Sequence, residues 1–315
     1  MQRDKIKRAV LVIPLLFILF FYYVVSTRKQ MSQIKEEFGG QMAMTKGLMF
    51  KATDAEGKDH WFGLGKPLRV SREVLFRGGT QAPNAFHLTP ISSRTVELEG
   101  QFTGDVRRGG SCNVDTLCYV PHGLTHLETS AHILNRDTNP PTVKDIPPEK
   151  LSGMALLIDL SDMGQDTGKK IAWETVQAKL DRNRLPISML AIKTASSLLP
   201  QDYDFSGKDF LYLAAETAKG IHDYKTADSH IDCLILDLPS IDRESDGGKL
   251  LAHRGFFGLP DTGFDAEDLE KRVLVELAMF SGLEEGYYYV VITPPLLETN
   301  AVSTGIVFHS LTELE

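Results

Sequence analysis

Short apolar or alternating runs recur along most of this chain: Leu68–Phe76, Thr95–Phe102, Leu117–Val120, Met154–Leu160, Met189–Lys193, Phe210–Ala214, Cys233–Leu238, Val273–Leu277, Tyr287–Thr293 and Gly305–Phe308. Their lengths and their β-branched and aromatic content predict strands. Helical patterns are fewer, over Ala172–Arg182 and Ala215–Tyr224, with a charged turn in the DAEDLEKR stretch from Asp265. Some predicted strands follow one another directly and others are separated by helices. That order points to a mixed α/β domain and away from a regular doubly wound sheet. The chain shows no internal repeat and no Gly-x-Gly-x-x-Gly or Walker pattern, which removes nucleotide binding as a leading function.

One run differs in kind. Residues 9–26 (AVLVIPLLFILFFYYVVS) are uncharged and almost wholly apolar, about 27 Å long as a helix and just enough to cross a bilayer. With no polar face, the stretch predicts a transmembrane anchor. A basic cytoplasmic segment (residues 1–8) would precede it, and a polar stalk (residues 27–45) would lead into the folded body at residues 46–315. Arg3, Lys5, Lys7 and Arg8 lie before the run and only Arg28 and Lys29 just after it. This bias places the N-terminus in the cytoplasm and the body outside, periplasmic or extracellular. The competing reading is a cleaved signal peptide ending near Val24-Val25-Ser26, which would make the body secreted.

Composition then narrows the function. The 315 residues are 42% hydrophobic and 24% charged, which suits a globular body with a real core. The first 29 residues hold six Lys or Arg against Asp4, so the net charge of −8 leaves −13 for the remainder. An acidic body without a basic stripe excludes nucleic acid as the partner. The three cysteines, Cys112, Cys118 and Cys233, form no metal or redox motif; Cys112 and Cys118 are near enough in sequence to pair in an oxidising compartment.

The densest chemistry lies in PHGLTHLETSAH from Pro121, where His122, His126 and His132 surround Glu128. Imidazoles and a carboxylate suit a borderline divalent ion, with a position left for water. The spacing is not that of helical His-Glu-x-x-His proteases, and Gly123 points to a loop or strand end. No Gly-x-Ser-x-Gly is present, so a serine nucleophile has no support.

These residues resemble the H-x-G-T-H-x-D-x-x-x-H signature of the cyclase family of metal-dependent hydrolases, which includes bacterial kynurenine formamidase and isatin hydrolase. Leu124 stands where a second glycine is common, and Glu128 replaces the aspartate. Asp237–Asp242 (DLPSID) resembles the family's D-x-P-S-x-D stretch, followed by His253-Arg254, and Val273–Leu277 is similar to the strand that ends in a family glutamate, here Glu276. Phe76–Phe86 and Gly104–Asn113 look like a subgroup in which glutamate also occurs at the Glu128 position.

The resemblance implies a swivelling β/β/α domain, an irregular sheet barrel with flanking helices. It implies one or two divalent ions, Zn or Mn. His122, His126 and Glu128 would hold the first, and Glu128, His253 and Glu276 would complete a second position. His132 would donate and accept the proton. The reaction implied is opening of a small amide, an arylformamide or cyclic amide, by metal-bound water, in a homo-oligomer. The alternative is a non-catalytic, membrane-anchored metal- or ligand-binding protein of the same fold. Asp237 and Asp242 are expected to hold a turn around Pro239 and Ser240, and Tyr287, Tyr288 and Tyr289 to be sheet residues.

Overall fold

The computed structural model describes residues 49–76, 80–81, 85–164, 168–264 and 269–314. The expected anchor (9–26), the stalk (27–45), the start of the body and the first half of the DAEDLEKR turn lie outside the described residues. Among the described residues no helix is long and apolar enough to cross a membrane. The chain divides into two compact units. Of the described residues, the smaller holds 49–51, His60–Leu64 and 312–314, and in it His60 Nδ1 meets Glu313 Oε1 at 2.6 Å. The larger contains Ala52–Asp59 and Gly65–Leu311, hence all the candidate site residues.

The principal sheet has ten strands, labelled here in chain order: β1 (Met49–Thr53), β2 (Asp59–Arg69), β3 (His126–Glu128), β4 (Ser152–Asp159), β5 (Met189–Lys193), β6 (Cys233–Leu236), β7 (Val273–Glu276), β8 (Gly286–Thr293), β9 (Ala301–Ser303) and β10 (Gly305–Leu314). Their spatial order is β1-β2-β10-β8-β4-β5-β6-β7-β3-β9. The four central strands, β4 to β7, run parallel. They are continuous apolar runs because both their faces are covered. β8 joins β4 antiparallel, and at the other end β3 lies antiparallel between β7 and β9. The expectation of a mixed α/β fold with a large sheet and flanking helices is met.

Helices α1 (Trp173–Leu180), α2 (Ala215–Asp223) and α3 (Leu251–Phe257) fall in the crossovers β4–β5, β5–β6 and β6–β7. Gly255 permits close packing of α3 on α2: a Cβ there would meet Ala215 O at 2.9 Å. One apolar cluster joins Leu127 of β3 to Leu157, Ala191, Ile235 and Val275 of the central strands. β3 is therefore anchored through its middle residue, which leaves its two outer side chains for the other face.

Several predicted boundaries shift. Leu68–Phe76 is not a strand beyond Arg69, because its backbone N–H groups find side chains in place of a ladder. Arg72 donates to Thr125 Oγ1, Glu73 to Gln201 Oε1 and Leu75 to Gln81 Oε1. Thr95–Phe102 is broken at Gly100, whose φ of 69° suits a turn, into a hairpin of Glu97–Leu98 and Phe102–Thr103. Leu117–Val120 becomes Asp115–Cys118, paired with the unanticipated strand Ile91–Thr95. Phe210–Ala214 reduces to Tyr212–Leu213. The helix α3 was not anticipated. Cys112 and Cys118 are both free and exposed, so the considered pairing is not formed, and Cys233 is free and buried.

Candidate metal centre

In strand β3 side chains alternate, so Leu127 points to the core while His126 and Glu128 share the opposite face. Glu276, the last residue of β7, stands directly across from His126 in the antiparallel register, a relation that brings side chains together on one face. The chain turns sharply after it: Leu277 adopts a left-handed conformation with φ 54°. That geometry is costly for a leucine. It is held by Leu277 N–H donating to Leu238 O at 2.8 Å and by Thr125 Oγ1 donating to Leu277 O at 2.6 Å.

Two short 3-10 turns flank β3. Pro121–Gly123 carries His122, and Ser130–His132 carries His132, its N-cap Thr129 accepting from Ala131 N–H. His253 arrives from α3. Asp242 accepts from Ala252 N–H at 2.9 Å, His253 N–H at 3.0 Å and His253 Nδ1–H at 2.7 Å, so one carboxylate fixes both the helix start and the imidazole.

The structure therefore brings together all six residues singled out in the sequence. Glu128 is at their centre. Its Oε2 lies 3.3 Å from His122 Nδ1, 3.6 Å from His126 Nε2 and 4.0 Å from His132 Nδ1, and its Oε1 lies 2.9 Å from His253 Nε2. Glu276 Oε2 is 3.4 Å from His126 Nε2, and its Oε1 is 3.7 Å from His253 Nε2. His126, Glu128, His253 and Glu276 are buried, whereas His122 and His132 are half-buried.

Hydrogen bonding on the outer side of the rings decides which nitrogens face inward. His126 Nδ1–H donates to Leu124 O at 2.9 Å, and His253 Nδ1–H donates to Asp242. Both rings are thereby fixed with Nε2 toward two carboxylates. Glu128 Oε1 and Oε2 and His253 Nε2 have no hydrogen-bond partner, although His253 and Glu128 approach to 2.9 Å, because their alignment is wrong for a hydrogen bond. Buried polar atoms are rarely left so. A divalent cation would satisfy all three, and the donor set of imidazole nitrogens and carboxylate oxygens fits it.

The electrostatics agree. Burial, reinforced by neighbouring His126, pushes His122 down to about 3 and leaves it a neutral imidazole. Burial also disfavours charge on His126, but the neighbouring carboxylates of Glu128 and Glu276 outweigh it and raise this ring to about 9. His253 is raised well above the ordinary histidine range, because Glu128 and Asp242 overcome its burial. Burial opposes ionisation of Glu128 too, yet His132 and His253 hold it well below the usual carboxylate range. A divalent ion would supply the positive charge that protons on His126 and His253 supply without one.

The ligand groupings are not those the resemblance implies: His126 falls with Glu276 in place of His122, and His253 is in neither set. Ligand atoms of His126, Glu128 and Glu276 converge in one set, and those of His122, Glu128 and His132 in another. His132, expected to handle the proton, thus lies within ligand range as well. Sequence reading also missed Asn300, whose Nδ2 lies 3.1 Å from His122 Nε2 and 3.3 Å from His132 Nδ1. An amide offers either N–H or oxygen there, and so sets which nitrogen of each ring carries the hydrogen. No motif announces it; it precedes β9, which brings it beside the centre. Asp242 was expected only in a turn. Asp237, by contrast, is structural, accepting from Thr194 N–H and Oγ1 and from Ser197 N–H and Oγ. The three tyrosines lie in β8 as expected.

The Asp242 arrangement has a measurable consequence. If His253 is a ligand, Asp242→Ala is expected to weaken retention of a divalent ion about 10- to 100-fold, the usual cost of removing the partner that orients a ligand histidine, and to lower Tm by releasing the first N–H groups of α3. Equilibrium dialysis and thermal melts check both, and unaltered ion affinity would exclude this role.

A mixed parallel sheet with a buried histidine–carboxylate centre beside the end of a parallel strand defines a class of α/β proteins built to bind a metal. The chain belongs to the cyclase family: the family described as "Putative cyclase" matches residues 55–243, a span that includes His122 to His132 and stops before His253 and Glu276. Solved structures share the fold. One described as a potential metal-dependent hydrolase with cyclase activity is 18% identical, with a TM-score of 0.53, over 78% of this chain and 98% of that one. A predicted metal-dependent hydrolase from Bacillus stearothermophilus is 19% identical, with a TM-score of 0.53 and the same coverage. Isatin hydrolase A from Labrenzia aggregata is 11% identical, with a TM-score of 0.55, over 78% of this chain and 93% of that one. No curated protein matches the chain.

Proposed function

We propose that this protein is a metal-dependent hydrolase that opens a small amide, an arylformamide or a cyclic amide, as family members such as kynurenine formamidase and isatin hydrolase do. The observation that carries the reading is the buried Glu128 carboxylate, unpartnered and surrounded by four histidines. His122, His126 and Glu128 would hold one zinc or manganese ion, and Glu128, His253 and Glu276 would complete a second position. When bound, such an ion supplies Lewis acidity, which lowers the pKa of water and polarises a carbonyl.

The protein's own part is proton handling. His132, half-buried beside Asn300, takes a proton from the attacking water and returns it to the leaving nitrogen. An imidazole is suited to this because its ordinary pKa is about 6.5. The amide C–N bond breaks, a C–O bond forms, and the products are an acid and an amine. The swivelling β/β/α arrangement and a homo-oligomeric state are carried over from the family with this reading.

The test is to load the purified body with zinc or manganese and assay arylformamides, cyclic amides, imides and lactones. Turnover of an amide that chelation stops supports the proposal. Bound metal without turnover of any of them makes the protein a non-catalytic binding module.

We further propose that residues 9–26 anchor the protein with the body outside the cytoplasmic membrane, since the charge bias and the apolar length agree on that orientation. Protease added to intact spheroplasts is expected to degrade the body. Resistance until lysis places it inside.

A further inference from the structure

Next to the centre lies a cavity of about 220 Å³ whose walls include Ala131, Arg136, Asn139, Thr142, Glu298 and Asn300. It adjoins the centre through Asn300, which lines the cavity and contacts both His122 and His132. Arg136 and Glu298 are the charged residues of its lining. Glu298 is neutralised by Lys144, whose Nζ lies 2.6 Å from its Oε2. Arg136 is exposed, and its guanidinium has no hydrogen bond or ion pair among the described residues.

The backbone under Arg136 is fixed. It begins the 3-10 turn Arg136–Thr138, where Asn135 Oδ1 accepts from Asp137 N–H at 3.1 Å and Thr138 Oγ1 donates to Asn135 O at 2.7 Å. Asn139 ends the turn in a left-handed conformation, and Asn135 N–H ties it to Phe264 O at 2.8 Å. A guanidinium presents a planar fork of donors that matches a carboxylate.

We propose that this cavity is a subsite for a carboxylate on the substrate, held by Arg136, so that the amide hydrolysed is an anionic one. The inference rests on the hydrolase reading above and narrows its substrate class. The carboxylate takes no part in the bond changes; Arg136 acts on selectivity by pairing with it while the amide faces His132.

Two measurements on the zinc-loaded protein test it. The first compares an arylformamide bearing a ring carboxylate with its methyl ester. The wild type is expected to favour the acid by about tenfold or more in kcat/KM, the scale of one charge-assisted pair. Arg136→Ala is expected to bring that ratio near unity, mainly through KM for the acid, and Arg136→Lys to keep part of it. The second is calorimetric binding of the corresponding aminobenzoate, which is expected to weaken about tenfold in Arg136→Ala.

Equal use of acid and ester by the wild type, or aminobenzoate binding that survives Arg136→Ala, overturns the subsite while leaving hydrolysis standing. Arg136-dependent aminobenzoate binding in a protein that hydrolyses neither compound keeps the subsite and removes the hydrolase reading.

Discussion

Glu128→Ala is expected to yield protein that purifies without a divalent ion and has no measurable hydrolysis. Both convergent ligand sets contain this residue, and its two oxygens face four imidazoles, so one substitution dismantles both positions. The loss should also appear in the metal-free fold. His126 is raised to about 9 in the folded chain, above an unfolded value of about 6.5. Its ion pairing therefore contributes stability that is fully present below about pH 6.5 and is lost as pH rises through about 9. Removing Glu128 takes away one of the carboxylates responsible. Breaking a buried pair costs about 3–5 kcal/mol, so urea unfolding at pH 6 should show a large deficit in metal-free variant against metal-free wild type, and the deficit should shrink above pH 9. Metal analysis showing a stoichiometric ion in Glu128→Ala would contradict the centre as drawn.

His132→Ala is the second large effect, and it falls elsewhere. If His132 moves the proton, the variant retains its metal and loses kcat by about 10²- to 10⁴-fold, the range for general acid–base groups. The loss should sit in kcat with little change in KM, because the imidazole acts on the chemical step. Its convergence with His122 and Glu128 makes the opposite result informative. A variant that loses its ion makes His132 a ligand, and another group must then carry the proton.

The sequence revealed the centre in proportion to how local each part is. His122, His126, Glu128 and His132 stand out because eleven consecutive residues contain them, and the structure adds why: a three-residue strand with a tight turn at each end. His253 and Glu276 carry no local signal of their own, and only the family resemblance singled them out. Helix α3 escaped because LAHRGFF is short, has a glycine inside it and is buried on most sides, so no amphipathic period shows. Asn300 lies in a connection with no pattern. Asp242 looked like a turn residue; that its carboxylate binds an imidazole eleven residues later depends on how α3 folds back. The central strands were legible because unbroken apolar runs mark strands covered on both faces. The segment from Arg72 to Leu75 was not, because side-chain acceptors took the N–H groups of Arg72, Glu73 and Leu75.

The position of β3 bears on how the chain acquires its chemistry. This strand is made early in synthesis, but its neighbours β7 and β9 come from Val273–Glu276 and Ala301–Ser303, near the other end. Until both have left the ribosome, His126 and Glu128 belong to an unpaired three-residue segment, and long-range pairings of this kind form slowly. A chain that stops before Asn300 keeps every proposed ligand and the proposed proton carrier, yet lacks Asn300 and the edge strand that pairs with His126–Glu128. A divalent ion is therefore expected to load only after β7 and β9 have been made, and a chain cut before Asn300 is expected to bind it less tightly than the intact one.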